Sequence, residues 1–463
     1  MARDGRPNAG TRAGARFAGQ AHRRQRGRDV RRAAALPAGG AGHPDGRDSR
    51  PRRDRRSAAG DAGRYPAVRG RSRPRPACPA RHPRRRGAPL VDAGGVVRVL
   101  YFSDGYGPHD HRFLAHLQAS GLEVFFLRRQ PGPVAESRPV PDGVRLLDPL
   151  DSGDGRRRRL GVALVDRLQA ILDAVRPDVV HAGPVQRCAW LVAQTGFPRL
   201  ATMSWGSDLL DEARFGLGRH LAREALARTA VFLGDCDAVR RSAIRFGVDP
   251  RRIVIFPWGV DLDRFRPSTS PETRRRLGWN GARVALCLRS WEPRYGVDTV
   301  LEAFLTAARD NPSLRLILAG DGPLRPWVIE RVEASGLADR IWMPGYVAYD
   351  DLPTLYHTAD VYVSASHCDG SSVSLLEALA CGLPAFVSDI DGNREWVEPG
   401  ENGELFAPGD AAGLARLLTA AATDHRAADL GRKGRAIAEA RADWRRHAPQ
   451  LVEAYAIALG GEL

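Results

Sequence analysis

The sequence predicts an α/β protein built from two doubly wound, Rossmann-like domains that face a cleft, preceded by a disordered N-terminal extension. Three observations predict it. From residue 96 onward, short apolar runs alternate with helical stretches, the pattern of βαβ units on a parallel sheet. The alternation stops at Pro257-Trp258-Gly259-Val260-Asp261 and then starts again. The first 95 residues show neither pattern, being rich in Arg, Pro, Gly and Ala and poor in aromatic and β-branched residues.

The extension explains the charge. The 463-residue chain carries a net charge of +16. Residues 1–95 hold 25 arginines, no lysine and 7 aspartates, so this segment supplies +18 and the rest of the chain is close to neutral. A segment of this composition buries too little apolar surface to offset its conformational entropy. Its runs Arg52-Arg53-Asp54-Arg55-Arg56 and Arg84-Arg85-Arg86 suit contact with RNA, DNA or an anionic membrane; the alternative is an extension without function. It lacks the apolar core of a secretion signal, and no stretch approaches the roughly 18 apolar residues of a membrane span. The six cysteines are scattered without a CxxC pair, as expected of reduced thiols in a cytosolic protein, and no His/Cys spacing points to a metal.

In the first half, strands are expected over 97–102, 123–127, 178–181, 199–203, 230–233 and 252–256, with helices between them, the first over 110–119 and closed by Gly121. In the second half, strands are expected over 283–288, 314–319, 341–343, 361–364 and 385–388, with helices over 297–308, 323–334 and 372–380. A terminal helix over 444–459 has the length to pack back across the first half. The domains are therefore 1–95 (extension), 96–258 (first domain, completed by 444–460) and 259–443 (second domain). Such folds bind ligands beyond the carboxyl ends of their strands.

The most informative window runs from Ser364 to Pro384. A strand ends, a small polar loop follows, and a helix opens among serines, with Ser371 or Ser372 placed to cap it and Gly382 suited to the position just past its end. Free N–H groups at such a helix start, with the helix dipole behind them, suit a phosphate. Glu377, about one turn in, is in reach of a vicinal diol such as a ribose. Read from the residues alone, an ordinary capped helix with a solvated Glu377 fits equally well.

The same window resembles the signature of the retaining GT-B glycosyltransferases of family four: two acidic residues separated by seven others, then Glu-Ala-x-Ala-x-Gly-x-Pro. Here these are Asp369 and Glu377-Ala378-Leu379-Ala380-Cys381-Gly382-Leu383-Pro384. The resemblance implies that Glu377 binds the nucleotide ribose, that the backbone of Ser372, Val373 and Ser374 meets the diphosphate, and that Asp369 contacts sugar hydroxyls. The family usually has Glu at the position of Asp369. Arg289-Ser290-Trp291-Glu292-Pro293-Arg294-Tyr295-Gly296 resembles the family's Arg…Lys-Gly stretch, whose cations clamp the diphosphate. Arg289 matches the arginine, Tyr295 stands where the lysine is usual, and Arg294 is the neighbouring cation. Gly320-Asp321-Gly322-Pro323 resembles the loop near the nucleotide, and Gly345-Tyr346-Val347 the turn whose backbone reads the base. Asp261-Leu262-Asp263 lies in the linker and is expected to form a turn.

On the acceptor side, the resemblance is looser. Gly107 belongs to a glycine-containing loop after the first strand, and His181 ends a strand at the expected cleft. Trp205 stands where many members carry a sugar-contacting His, and Asp208 is the nearest polar candidate. For each, a structural role is the competing reading.

These matches imply transfer of a glycosyl group, with retention, from a nucleoside-diphosphate sugar to an acceptor hydroxyl, in polysaccharide, glycolipid or glycoconjugate biosynthesis. The nucleotide sugar is a co-substrate, and neither cofactor nor metal is expected. The acceptor is left open, lipid-linked compounds included. No specific nucleic-acid partner is expected, and the location is cytoplasmic, with peripheral contact at the inner membrane face left open. Two other classes remain: a phosphorylase or epimerase on the same fold, and a sugar-nucleotide-binding protein without turnover. The lack of Gly-x-Gly-x-x-Gly after the first strand argues against a simple NAD-linked dehydrogenase.

Overall fold

The computed structural model describes residues 95–131, 136–151, 161–421 and 426–461. The expected disordered extension lies, apart from Gly95, outside the described residues. Two parallel sheets form the body. The first contains β1 (Arg98–Ser103), β2 (Glu123–Arg128), β3 (Arg145–Leu146), β4 (Val179–Gly183), β5 (Leu200–Met203), β6 (Val231–Gly234) and β7 (Ile253–Ile255), in the order β3-β2-β1-β4-β5-β6-β7. The second contains β8 (Arg283–Leu288), β9 (Leu314–Ala319), β10 (Ile341–Gly345), β11 (Val361–Ser364), β12 (Ala385–Ser388) and β13 (Gly403–Phe406), in the order β10-β9-β8-β11-β12-β13. This is the GT-B architecture. In each sheet the strand order reverses beside the first strand, at β1/β4 and at β8/β11, and a reversal of this kind opens a crevice at the carboxyl ends.

The central strands read as continuous apolar runs because helices cover both faces. Val99, Leu100, Tyr101 and Phe102 of β1 and Val284, Ala285, Leu286 and Cys287 of β8 are fully buried. β3 and β13, each an edge strand, were not expected: β3 has only two residues, and β13 (Gly403–Phe406) is only partly buried and lacks the continuous apolar run of the central strands.

Helix boundaries differ from expectation where Pro or Gly intervenes. The helix expected over 323–334 occupies Arg325–Ser335, because Gly322 adopts φ +157° and Pro323 still belongs to the turn. The helix expected over 444–459 is split into Trp444–His447 and Pro449–Ala458, since Pro449 has no N–H to continue the ladder. Asp261 forms a turn, its Oδ1 accepting the N–H groups of Asp263 (3.0 Å) and Arg264 (3.2 Å).

The C-terminal helix does return to the first domain. Leu451, Ala454, Tyr455 and Ala458 are buried against Val231, Leu233, Ala201 and Tyr101 on one face of the first sheet. Phe113 and Trp444 stack there with ring centroids 5.4 Å apart. Arg112 is tied to the linker through the carbonyl oxygens of Trp258 and Gly259. Leu451, fully buried in this layer, should cost about 2–5 kcal/mol when truncated to Ala; urea unfolding followed by tryptophan fluorescence checks this through an earlier midpoint.

Candidate functional site

β8 and β11 are hydrogen-bonded neighbours, with Val361 paired to Ala285 and Tyr362 to Leu286. The chain leaving each strand therefore emerges at the same edge. Arg289 follows β8, and the loop carrying Asp369 to Ser372 follows β11. There the guanidinium of Arg289 donates to Asp369 Oδ2 at 2.6 Å and to Ser372 Oγ at 2.6 Å. The Tyr295 ring lies 4.1 Å from its charge centre, a cation–π contact. Only 10% of the Arg289 side chain is exposed. Burial disfavours the charged form, but the Asp369 carboxylate outweighs it, and Arg289 holds its proton more firmly than an ordinary arginine.

Gly320, at the end of β9, makes this position possible. Its φ is +129°, and a Cβ there would lie 2.1 Å from the carbonyl oxygen of Arg289. Asp321 faces away: it accepts the N–H of Gly322 at 2.8 Å and pairs with Arg325 at 2.8 Å, closing its own turn. Tyr346 is 55% exposed on the turn after β10, and Val347 packs beside it against the second-domain core.

The helix that follows the loop spans Val373–Ala380. Ser372 is its N-cap residue, but its side chain makes no capping bond, because the hydroxyl is taken by Arg289. Serine capping was the expectation; the structure instead leaves the first-turn N–H groups uncapped by any side chain. Ser374 Oγ pairs with Tyr362 Oη at 2.7 Å, and Val373 packs across to the first-domain cluster that includes Trp205. Gly382 follows the helix with φ +76°.

Glu377 is not on a solvated face. It is 3% exposed and accepts a hydrogen bond from Tyr356 Oη at 2.7 Å. Burial pushes its carboxyl up to about 7, against the pull of the Tyr356 bond and of the Arg112 and Arg138 charges. Arg138 comes from the first domain, where it pairs with the buried Glu136 (2.6 Å) and lies 3.9 Å from the ring of Tyr349 in the second. Charges from both domains therefore meet around this end of the site.

Two further sets of first-domain residues reach the site, neither of them marked by a sequence motif. Asp235, just after β6, accepts the N–H of Ser371 at 2.8 Å. Burial, then the charge of Asp369, pushes its carboxyl up to about 7. A chain of alternating charges also crosses the carboxyl edge: Arg129, Asp104, Arg187 (2.5 Å to Asp104), Glu212 (3.3 Å to Arg187), Arg294 (3.0 Å to Glu212) and Glu292 (3.1 Å to Arg294). Arg294, expected at the donor, thus points to Glu212 and to Ser207 (2.9 Å) across the cleft, and does not replace the missing lysine beside Arg289. Asp104, Arg187, Glu212 and Asp235 sit on separate segments with no local motif, and only the two folds bring them to this site.

Two acceptor-side expectations are corrected. His181 is fully buried, its Nδ1 2.7 Å from Tyr455 Oη and its Nε2 3.3 Å from Met203 Sδ, and burial pushes its pKa down to about 3. It is a neutral core histidine under the C-terminal helix. Asp208 is 2% exposed and ties its own loop together, accepting from Ser204 Oγ (2.6 Å) and from the N–H groups of Trp205 (3.0 Å), Leu209 (3.0 Å) and Val185 (2.9 Å). Its carboxylate has no capacity left for a ligand. Gly107 is the N-cap residue of the Pro108–Ala119 helix, and its N–H donates to Asp110 at 2.7 Å. Trp205 is half-buried on the first-domain cluster, at the cleft edge of β5.

The chain matches two family profiles: "Glycosyltransferase Family 4" over residues 104–264 and "Glycosyl transferases group 1" over residues 269–437. It is 34% identical over 309 residues to a D-inositol 3-phosphate glycosyltransferase of Geodermatophilus obscurus, covering 61% of this chain and 66% of the relative. It is 30% identical over 325 residues to an enzyme of the same name from Thermobispora bispora, covering 63% and 73%. A glycogen synthase of Mycobacterium tuberculosis is 28% identical over 402 residues, covering 77% and 92%. Among solved structures, HepE of Anabaena in complex with UDP-glucose superposes with a TM-score of 0.63 at 21% identity, over 77% of this chain and 98% of that one. The sucrose-phosphate synthase of Thermosynechococcus elongatus gives 0.64 at 20% identity, with 77% and 98% covered. With both halves of the body matched in order, this chain belongs to the family-four, group 1 glycosyltransferases.

Proposed function

We propose that this glycosyltransferase moves a sugar from a nucleoside-diphosphate sugar to an acceptor hydroxyl with retention at the anomeric carbon, without a divalent metal, in polysaccharide, glycolipid or glycoconjugate biosynthesis. The observation that carries the reading is Arg289, a buried guanidinium beside the uncapped N-terminus of the Val373–Ala380 helix. A planar fork of donors and a helix start are two devices that grip phosphate, and here they converge on one edge. In the reaction the bond from the anomeric carbon to the diphosphate breaks. The acceptor oxygen bonds to that carbon from the same face, and its proton passes to the departing diphosphate. Arg289 and the helix N–H groups stabilise the charge that grows on the leaving group, which is the work a metal would otherwise do. Glu377, at the buried end of the helix's first turns, is placed to accept the ribose hydroxyls. The names of two relatives, D-inositol 3-phosphate glycosyltransferase and glycogen synthase, support a hydroxyl-rich acceptor.

Peripheral contact with the inner membrane face belongs to this proposal for a lipid-linked acceptor. No helix among the described residues is long and apolar enough to cross a membrane. Phe215 and Leu217 are 78% and 71% exposed among the exposed Arg214, Arg219 and Arg223, next to the cleft-facing Glu212. A second reading, donor binding without turnover, is favoured by one observation: Asp369 is already paired with Arg289, so a sugar hydroxyl would have to share it. Release of free nucleoside diphosphate from a bound nucleotide sugar decides between the two.

Calorimetry against UDP-glucose, GDP-mannose and ADP-glucose identifies the donor. In Glu377→Ala, binding of that donor should weaken by about tenfold or more, as expected for the loss of a buried charged hydrogen-bond partner; unchanged affinity would sink the assignment. The raised Glu377 carboxyl leaves it mostly neutral at pH 6 and mostly ionised at pH 8, and the ionised form accepts both diol hydroxyls. Nucleotide-sugar affinity should therefore rise with pH, by up to about tenfold between pH 6 and 8, and Glu377→Gln should remove that part of the dependence. Proton NMR of the product should show the donor's own anomeric configuration, and the rate should be the same with and without EDTA.

A further inference from the structure

Asp235 belongs to the first domain, yet its carboxylate is built into the donor loop of the second. Its Oδ2 accepts the N–H of Ser371 at 2.8 Å, and its main-chain oxygen accepts Ser371 Oγ at 2.9 Å. The same hydroxyl accepts Trp396 Nε1 at 3.0 Å, so Ser371 is clamped from both domains. Asp235 is 5% exposed, and its Oδ1 has no hydrogen-bond partner among the described residues. The contact is close enough to dictate the neighbouring residue. A Cβ on Gly370 would lie 2.3 Å and 2.5 Å from the two carboxylate oxygens of Asp235. Gly370 separates this clamp from Asp369, the ion partner of Arg289.

A carboxylate so deeply enclosed does not itself touch a donor. Its effect passes through the loop. With Ser371 fixed at its N–H and its hydroxyl, the backbone leading to it has little freedom and Asp369 takes its direction from it, whereas the amides from Val373 onward are held by their own helix. Two other cross-cleft contacts do not involve this loop. Glu395 accepts the N–H groups of Asp237 (2.9 Å) and Ala238 (3.3 Å), and Arg241 pairs with Asp391 (2.9 Å); both join exposed helix ends. Asp235 is placed differently, because it meets the one loop that the proposed reaction needs.

We propose that Asp235 is a positioning residue for the donor sugar: by clamping Ser371 from the opposite domain, it sets the Asp369–Ser372 loop in its sugar-holding shape only when the two domains are closed. This rests on the reading that this loop holds the sugar. Opening the cleft would free Ser371, leave the Asp235 carboxylate to water and relax the loop. Nucleotide binding through Glu377 and Arg289 uses groups of the second domain and does not need the clamp.

The test compares, by calorimetry, the affinity of wild type, Asp235→Ala and Asp235→Asn for each nucleoside diphosphate (UDP, GDP, ADP) and for its glucosyl or mannosyl ester. In wild type the sugar nucleotide that binds should bind more tightly than the bare diphosphate. Asp235→Ala should lose this sugar-dependent gain, weakening sugar-nucleotide binding by about tenfold while the diphosphate stays within about twofold. Asp235→Asn, which keeps an oxygen for Ser371 N–H, should retain most of the gain. Gly370→Ala, pressing on the same contact from the other side, should lose it as Asp235→Ala does. An unchanged gain in Asp235→Ala, or an equal loss for diphosphate and sugar ester, or a wild type with no gain at all, overturns the proposal. A variant that unfolds on warming at a much lower temperature and binds neither ligand also counts against it, as that is the mark of a purely structural residue. If wild type binds none of the six compounds, the glycosyl-donor reading itself fails.

Discussion

A buried cation is the constraint on which the site is built. Arg289 is nearly withdrawn from water, and an arginine there is tolerated only with a counter-charge and hydrogen-bond acceptors in place. Asp369 supplies the charge, Ser372 an acceptor and Tyr295 an aromatic face. Each demands something of the surrounding chain. β8 and β11 must be neighbours so that Arg289 and Asp369 emerge together. The β9 turn must carry glycine at 320, since any side chain there would strike the Arg289 backbone. Ser372 must give up capping its helix, which leaves that helix start open toward the cleft. On the proposed reading, a diphosphate would share the Arg289 guanidinium with Asp369 and Ser372.

Its ion partner has consequences as well. Asp is one methylene shorter than the Glu usual at this position in the family, and here it reaches Arg289 at 2.6 Å. With Tyr295 at the place of the usual lysine, one of the two expected cations at the diphosphate is an aromatic ring. Arg294 does not make up the deficit, because Glu212 and Glu292 compete for it. A single guanidinium, the helix start and the charges brought by the first domain therefore carry the electrostatics of the site.

That contribution of the first domain is the least expected feature. Acidic groups on its carboxyl edge, Asp104, Glu212 and Asp235, are paired or clamped by partners on other loops, and two of the three hold residues of the second domain. The two domains thus meet through polar groups that pair with one another. Such contacts are specific to one arrangement of the domains, since a small displacement leaves carboxylates without donors. Asp235 and Glu377 both have carboxyls raised to about 7 by burial, so the closed arrangement encloses two acids that titrate near neutrality.

Much of this protein was legible in its sequence. Periodic apolar runs identify central strands because a strand covered on both faces has no solvent side, and the expected central strands are present within a residue or two. The Asp369–Glu377 window, Arg289 and Gly320 could be found because a strand, a loop and a helix start that follow one another keep their spacing in the chain. What the sequence could not decide was which side of a strand a residue occupies and what lies opposite it. His181 and Asp208 looked like cleft residues, yet a turn of the β4 face toward Tyr455 and a loop closing on its own carboxylate put both in the interior. Asp235, Arg138 and Glu212 carried no motif, because the groups they meet in the second domain, Ser371, Tyr349 and Arg294, lie far along the chain. The sequence by itself determined the central strands, the family and the residues of the Asp369–Glu377 window, all of which rest on local spacing. The tertiary structure alone decided which charges meet across the cleft, because that depends on the packing of two separately folded sheets.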